Sequence, residues 1–229
     1  MPTSTARFLI LAVLCFGATA LPAQAETLYL KAATLVDPIG GKLRSKPLIT
    51  IVDDRIKEVA FGANAPDDGN VIDLGDATLL PGLADMHTHL TYYSSDNGYE
   101  SLAVSYTDQA IRGVANARKT LMAGFTVARN LGAGGFSDVS LRDAIDSGRV
   151  PGPRLQVSGP ALGITGGHCD SNLLPEQYEV KAEGVADGPW AVRAKVREVS
   201  KYGADVIKFC ATGGVLSKGT SVGARQYTM

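Results

Sequence analysis

Two rhythms of apolar and polar residues divide the chain near Pro81. From Glu26 to Leu79 the apolar positions alternate in short runs, "TLYLKAATLVD", "PLITIVDDRIKEVAF" and "NVIDLGDATLL". The turn-forming clusters "PIGGK", "DD" and "APDDGN" interrupt them. Alternation sets every second side chain on one face, so these runs predict the strands of a small β-sheet domain over residues 26–79. Beyond Pro81 the strand candidates "GLADMHTH", "FTVAR", "RLQVS" and "ADVIKFC" are mostly apolar rather than alternating.

Helical patterns lie between those strands. Ile111, Val114, Ala115, Leu121 and Met122 fall on one face at helical spacing, and Gly124 ends that helix. "SDVSLRDAIDSG" predicts a second helix with Ser137 as N-cap and Gly148 at its end. A third, over residues 190–202, stops at Gly203. Buried strands alternating with helices mean parallel strands covered by helices, in about four βα units. Such a sheet either stays open and doubly wound or closes into an eight-stranded barrel, and no glycine-rich dinucleotide fingerprint supports the open form. A barrel takes about 250 residues, whereas residues 80–229 supply roughly 150, so the expectation is an α/β fold containing the first half of a (β/α)8 barrel.

The first 25 residues stand outside this pattern. Arg7, the apolar run "FLILAVLCFGATAL" and the small residues of "AQA" form a secretory signal peptide with expected cleavage between Ala25 and Glu26. The expected location is therefore periplasmic or secreted. Arg7 is the leader's only charged residue, so of 22 Lys and Arg, 21 remain to face 23 Asp and Glu. No basic tract or stripe occurs, which argues against nucleic acid and against a membrane surface once the leader is removed. Cys169 and Cys210 remain after the leader takes Cys15. In an oxidising compartment they either pair or stay free.

Five residues carry candidate chemistry. His87 and His89 lie two residues apart in a strand and so project to one side, with Asp85 one layer below. At the C-terminal end of a barrel strand that side is the mouth, where two imidazoles can hold a metal ion, zinc first among candidates. The alternative is a pair of strand-end histidines with ordinary hydrogen bonds. Lys208 stands among Val206, Ile207 and Phe209 on a strand expected to be buried on both faces. Burial favours the neutral amine, which can add carbon dioxide to give a carbamate able to bridge two metals. The alternatives are a lysine that snorkels to solvent or one paired with a carboxylate. His168 follows the glycine-rich loop "GITGG", and Tyr227 lies just beyond the fourth strand.

Together, "LLPGLADMHTHL", "AGFTVARNLG", "GPRLQVSGPALGITGGHCD" and "GADVIKFCATGGV" resemble the first four barrel strands of the metal-dependent amidohydrolase superfamily. The segment ending in "VIDLGDATLLPG" is similar to that family's N-terminal sheet. The resemblance covers essentially the whole chain after the leader, and points to the secreted Xaa-Pro dipeptidase and imidazolonepropionase-like branch. It implies a (β/α)8 barrel with two zinc ions, His87 and His89 binding the first and carboxylated Lys208 bridging both. It also implies that His168 binds substrate or polarises its carbonyl, and offers Tyr227 as a second hydrogen-bond partner for that carbonyl.

The implied reaction is metal-dependent hydrolysis of an amide or peptide bond in a small-molecule or dipeptide substrate. The sequence departs from the family's pattern in three ways. The histidines of strands five and six and the aspartate of strand eight that shuttles protons have no counterpart here, and Asn130 stands where an aspartate is frequent. The expectation is therefore an N-terminal fragment that is inactive alone, binds zinc weakly, and associates through unpaired sheet edges into oligomers. A vestigial, non-catalytic binding protein and a lactonase-type hydrolase of carbon–oxygen bonds are the competing readings.

Overall fold

Alternating side chains produce sheets through the N-terminal segment. The computed structural model describes residues 26–95, 98–215 and 217–227, so the expected leader, residues 1–25, lies outside the described residues. The chain divides into two compact units between Pro81 and Gly82. In the first unit, β1 (Thr27–Lys31), β4 (Pro47–Val52), β5 (Arg55–Phe61) and β6 (Asn70–Asp73) form a four-stranded sheet in the order β5-β4-β1-β6. A three-stranded sheet, ordered β3-β2-β7, joins β2 (Thr34–Asp37), β3 (Lys42–Ser45) and β7 (Thr78–Leu79). The β4–β5 hairpin turns at Asp53, whose φ of 54° places it in the left-handed region that Asp tolerates in tight turns.

The second unit begins with β8 (Leu83–Thr88), followed by α1 (Tyr106–Met122), β9 (Phe125–Asn130), α2 (Ser137–Asp146), β10 (Arg154–Val157) and α3 (Gly188–Lys201). The strands are parallel and lie in chain order, with β9 central. This is the α/β arrangement expected of the opening part of a barrel. Leu90, Ala117, Ala128, Val139, Leu141, Leu155 and Val157 form the core between helices and sheet.

Three local expectations need correction. The buried stripe of α1 is Gln109, Gly113 and Ala117, while Ile111 and Met122 are exposed. Close approach of α2 sets this stripe, since a methyl at Gly113 would press on Leu141. The N-cap of α2 is Phe136 in the left-handed conformation, not Ser137. Ser137 instead donates its hydroxyl to Gln109 Oε1 at 3.4 Å. The segment 204–210 makes an isolated parallel bridge, Leu162 to Phe209, in place of a regular fourth strand. The interruption has a local cause. The Val157 N–H is taken by the Asp205 carboxylate at 3.0 Å, Gly159 turns the chain at a φ of 61°, and Pro160 has no N–H to give.

Candidate metal and substrate site

β8 carries the two histidines to the edge of the sheet. Its pairing with β9 shifts between Asp85 and Thr88, so a bulge interrupts the strand around Met86 and His87. Asp85 Oδ1 accepts the His87 N–H at 3.0 Å across that irregularity. The rings of His87 and His89 end with centroids 5.3 Å apart and planes tilted by 56°.

A buried polar cluster fixes the backbone just after His89. Asn130, at the end of β9, accepts the Leu90 N–H at 2.6 Å and donates to the Gly132 carbonyl at 3.2 Å and to Asp138 Oδ2 at 3.3 Å. Asn116 of α1 donates to the Leu90 carbonyl at 2.7 Å. Beside the His89 ring lies Gly132, whose φ of 134° suits glycine. The Gly132 carbonyl accepts a hydrogen bond from that ring. Partial burial, then the positive neighbours His87 and Lys208, hold the His89 pKa below its ordinary value against that bond. A neutral imidazole anchored through its second nitrogen is the usual state of a metal-binding histidine.

Lys208 and His168 lie near enough to His89 for their charges to act on it. The surroundings expected for Lys208 differ, however. It is half-buried, and neighbouring Phe209 is 56% exposed, because its segment bonds regularly only to the stretch after β10. The Lys208 carbonyl accepts from Leu162 N at 2.8 Å, and Cys210 N returns a bond to Leu162 at 2.8 Å. A disulfide joins Cys169 to Cys210 with Cα atoms 6.0 Å apart, tying the His168 loop to the Lys208 segment.

His168 Nδ1 is hydrogen-bonded to Ser217 Oγ, and its ring rests on Gly214. The Tyr227 ring meets Phe209 edge-on at 6.2 Å, and its hydroxyl is buried with no hydrogen-bond partner among the described residues. Burial, then the negative charge of Asp187, pushes the Tyr227 pKa up, so the phenol stays a proton donor.

Two imidazoles at one strand end, one of them anchored by a backbone carbonyl, are donors of the kind that fit a divalent metal. Among the described residues no three His, Cys, Asp or Glu side chains converge into a metal site by themselves. A polar cleft of about 580 Å³ opens from His89 towards Ser94, Asn116 and Lys119. A second cavity of about 320 Å³ lies between His89, Tyr92, Tyr106 and Glu183. Sequence reasoning passed over Asp138, Glu183 and Ser217. Only Asp138 left a trace, as an acidic residue in the first turn of a helix, which ordinarily signals solvent-exposed capping.

Comparison with known proteins places these residues in context. Residues 78–229 match the model of the amidohydrolase family. An ochratoxinase of Aspergillus niger is 30% identical over 231 aligned positions, which cover 90% of this chain and 46% of that protein. The crystal structure of a Xaa-Pro dipeptidase with methionine bound in its active site superposes with a TM-score of 0.80 at 36% identity, covering 89% of this chain and 51% of that one. A prolidase complexed with N-methylphosphonate-L-proline superposes with a TM-score of 0.74 at 30% identity, covering 88% of this chain and 50% of that one. The chain spans about half the length of each of these three relatives.

Proposed function

The chain belongs to the amidohydrolase family, and from that premise we propose that it carries part of the metal centre of a dipeptidase-like hydrolase. The reaction is hydrolysis of a carbon–nitrogen bond in a dipeptide or small amide. One observation carries this reading: the His87 and His89 rings lie 5.3 Å apart, with Lys208 and His168 close enough to act on His89. His87 and His89 would hold one divalent metal, zinc by donor type, and Lys208 as its carbamate would bridge to a second. When bound, the metal would supply Lewis acidity towards the scissile carbonyl and the attacking water.

The chain's own groups prepare that site. The Gly132 carbonyl fixes the His89 ring, and Asn130 and Asn116 fix the peptide that follows it. Ser217 holds His168 by Nδ1, and Nε2 would then bond the substrate carbonyl. The Tyr227 hydroxyl, buried without a partner among the described residues, would give its hydrogen bond to the same group once substrate uncovers it. Carbamylation of Lys208 consumes the neutral amine and carbon dioxide and releases one proton. We also propose export through the leader, a location that a disulfide between Cys169 and Cys210 suits. Mass spectrometry should find a mature chain beginning at Glu26, and Met1 on protein recovered outside the cytoplasm contradicts export with cleavage.

The deciding experiment expresses the longest reading frame containing these 229 residues, measures its metal content and assays a dipeptide library. Metal-dependent cleavage that Lys208→Ala abolishes, and that short carboxylic acids restore to the variant, supports the proposal. Near-normal turnover by Lys208→Arg overturns the bridging role, and failure to cleave any amide overturns the hydrolase reading.

A further inference from the structure

We infer that the cavity behind His89 recognises a primary ammonium group, held by the Glu183 carboxylate and the rings of Tyr92 and Tyr106. The cavity has about 320 Å³, a volume suited to a small ligand group, and runs from His89 to Glu183 and Tyr106, where it opens to solvent. Tyr92 follows the histidine pair, Tyr106 opens α1, and Glu183 belongs to the loop before α3. Three separate stretches of chain thus converge on one space.

Charge selects the ligand. Glu183 Oε2 accepts the Gly135 N–H at 2.8 Å, and the Tyr106 hydroxyl donates to the same carboxylate. Those two bonds leave acceptor capacity on a group with about four lone-pair sites. Among the described residues no lysine, arginine or histidine forms an ion pair with Glu183. Its negative charge is felt by both phenols, whose ionisation it opposes.

A carboxylate that faces solvent without a cationic partner, beside two electron-rich rings, favours a cation over an anion or a neutral apolar group. The N–H groups of Gly134 and Gly135, which precede α2 and would otherwise attract an anion, are already taken by Gln109 and Glu183. A primary ammonium brings three donors and fits a pocket this size.

The position of the cavity also suggests where such a group comes from, and this step rests on the hydrolase reading. With the scissile carbonyl at the histidine pair, the substrate's free α-amine or a lysyl side chain on the same residue would enter the cavity. Either source presents the same chemistry to Glu183.

Two arms test the inference. The first needs no turnover: full-length protein is titrated with n-butylammonium or n-butanol while the ring resonances of Tyr92 and Tyr106 are followed by NMR. Saturable shifts are expected with the ammonium alone, and Glu183→Gln should weaken its binding at least tenfold. The glutamine still accepts from Gly135, and unchanged thermal unfolding verifies that the variant folds. Equal binding of alcohol and ammonium, or binding indifferent to Glu183→Gln, overturns the inference.

The second arm compares Ala-Pro, N-acetyl-Ala-Pro and N-acetyl-Lys-Pro as substrates. A tenfold rise in KM on Glu183→Gln, confined to Ala-Pro, assigns the site to the α-amine. The same rise confined to N-acetyl-Lys-Pro assigns it to the side chain, and equal changes for all three overturn the inference. Absence of any cleavage counts against the hydrolase reading and leaves the binding arm to decide this one.

Discussion

Asp138 has no accessible surface, yet its carboxylate holds three stretches of chain together. Oδ2 accepts from Asn130 Nδ2 and from the N–H groups of Ser158 and Gly159 at 3.1 to 3.3 Å, and Oδ1 from Val139 N at 2.9 Å. Burial raises its pKa above the ordinary 3.8 by more than those bonds lower it. The native state therefore binds the proton more readily than the unfolded chain does. Its stabilising share is complete below 3.8 and declines as pH rises through the raised native value. Asp138→Ala leaves the Ser158 and Gly159 N–H groups unpaired and should cost about 3 kcal/mol near the acid end of that window. Urea unfolding of both proteins at stepped pH should show this cost shrinking as pH rises, and a flat difference would contradict the assignment. At this scale the sequence was legible where residue type names a chemistry. His-x-His marked two imidazoles at one strand end, and their ring centroids lie 5.3 Å apart. Asp138 was illegible because an acid in a helix's first turn looks the same whether it faces solvent or bridges two strand ends.

Helices and strands were legible wherever their signals were local. The glycines at 124, 148 and 203, read as helix ends, follow the three helices with positive φ. The segment 204–210 was not, because its pairing depends on a side chain, Asp205, that takes a ladder bond and also pairs with Arg142 at 2.9 Å. What secures that segment to the His168 loop is the disulfide rather than a ladder. Cys169 and Cys210 lie 41 residues apart, and closing a loop of that length contributes about 4 kcal/mol in the chain-entropy model. Reduction, or the double replacement Cys169→Ala and Cys210→Ala, should lower the denaturant midpoint accordingly. Equal midpoints with and without reductant would show that the loops hold without it. A steric prediction belongs beside it. Gly184 is buried against the Ala161 carbonyl oxygen, where any added methyl would collide with backbone. Gly184→Ala should therefore destabilise by about 1–3 kcal/mol, the usual range for overpacking, as read by thermal unfolding.

On the scale of the whole molecule, the α/β class followed from the alternation of buried strands and helices, which any sheet covered by helices must show. Burial on both faces of the strands did not follow, because it depends on what packs against them. Among the described residues β8 pairs only with β9, and Leu83 and Met86 on it are 46% and 43% exposed. Phe209 at 56% and Val215 at 84% add to the apolar surface of this unit. An open strand edge flanked by exposed apolar side chains is a template for pairing with another chain. The 229-residue chain should accordingly self-associate as its concentration rises, measured by sedimentation velocity, and Met86→Lys should shift the distribution towards monomer by placing a charge on that edge. The same chain should retain less than one zinc after gel filtration, since until Lys208 is carbamylated the two imidazoles alone fall short of the three or more protein ligands of ordinary zinc sites. His89→Ala should remove what zinc it does retain. A monomeric chain holding two metals at high concentration would contradict both the edge and the ligand count.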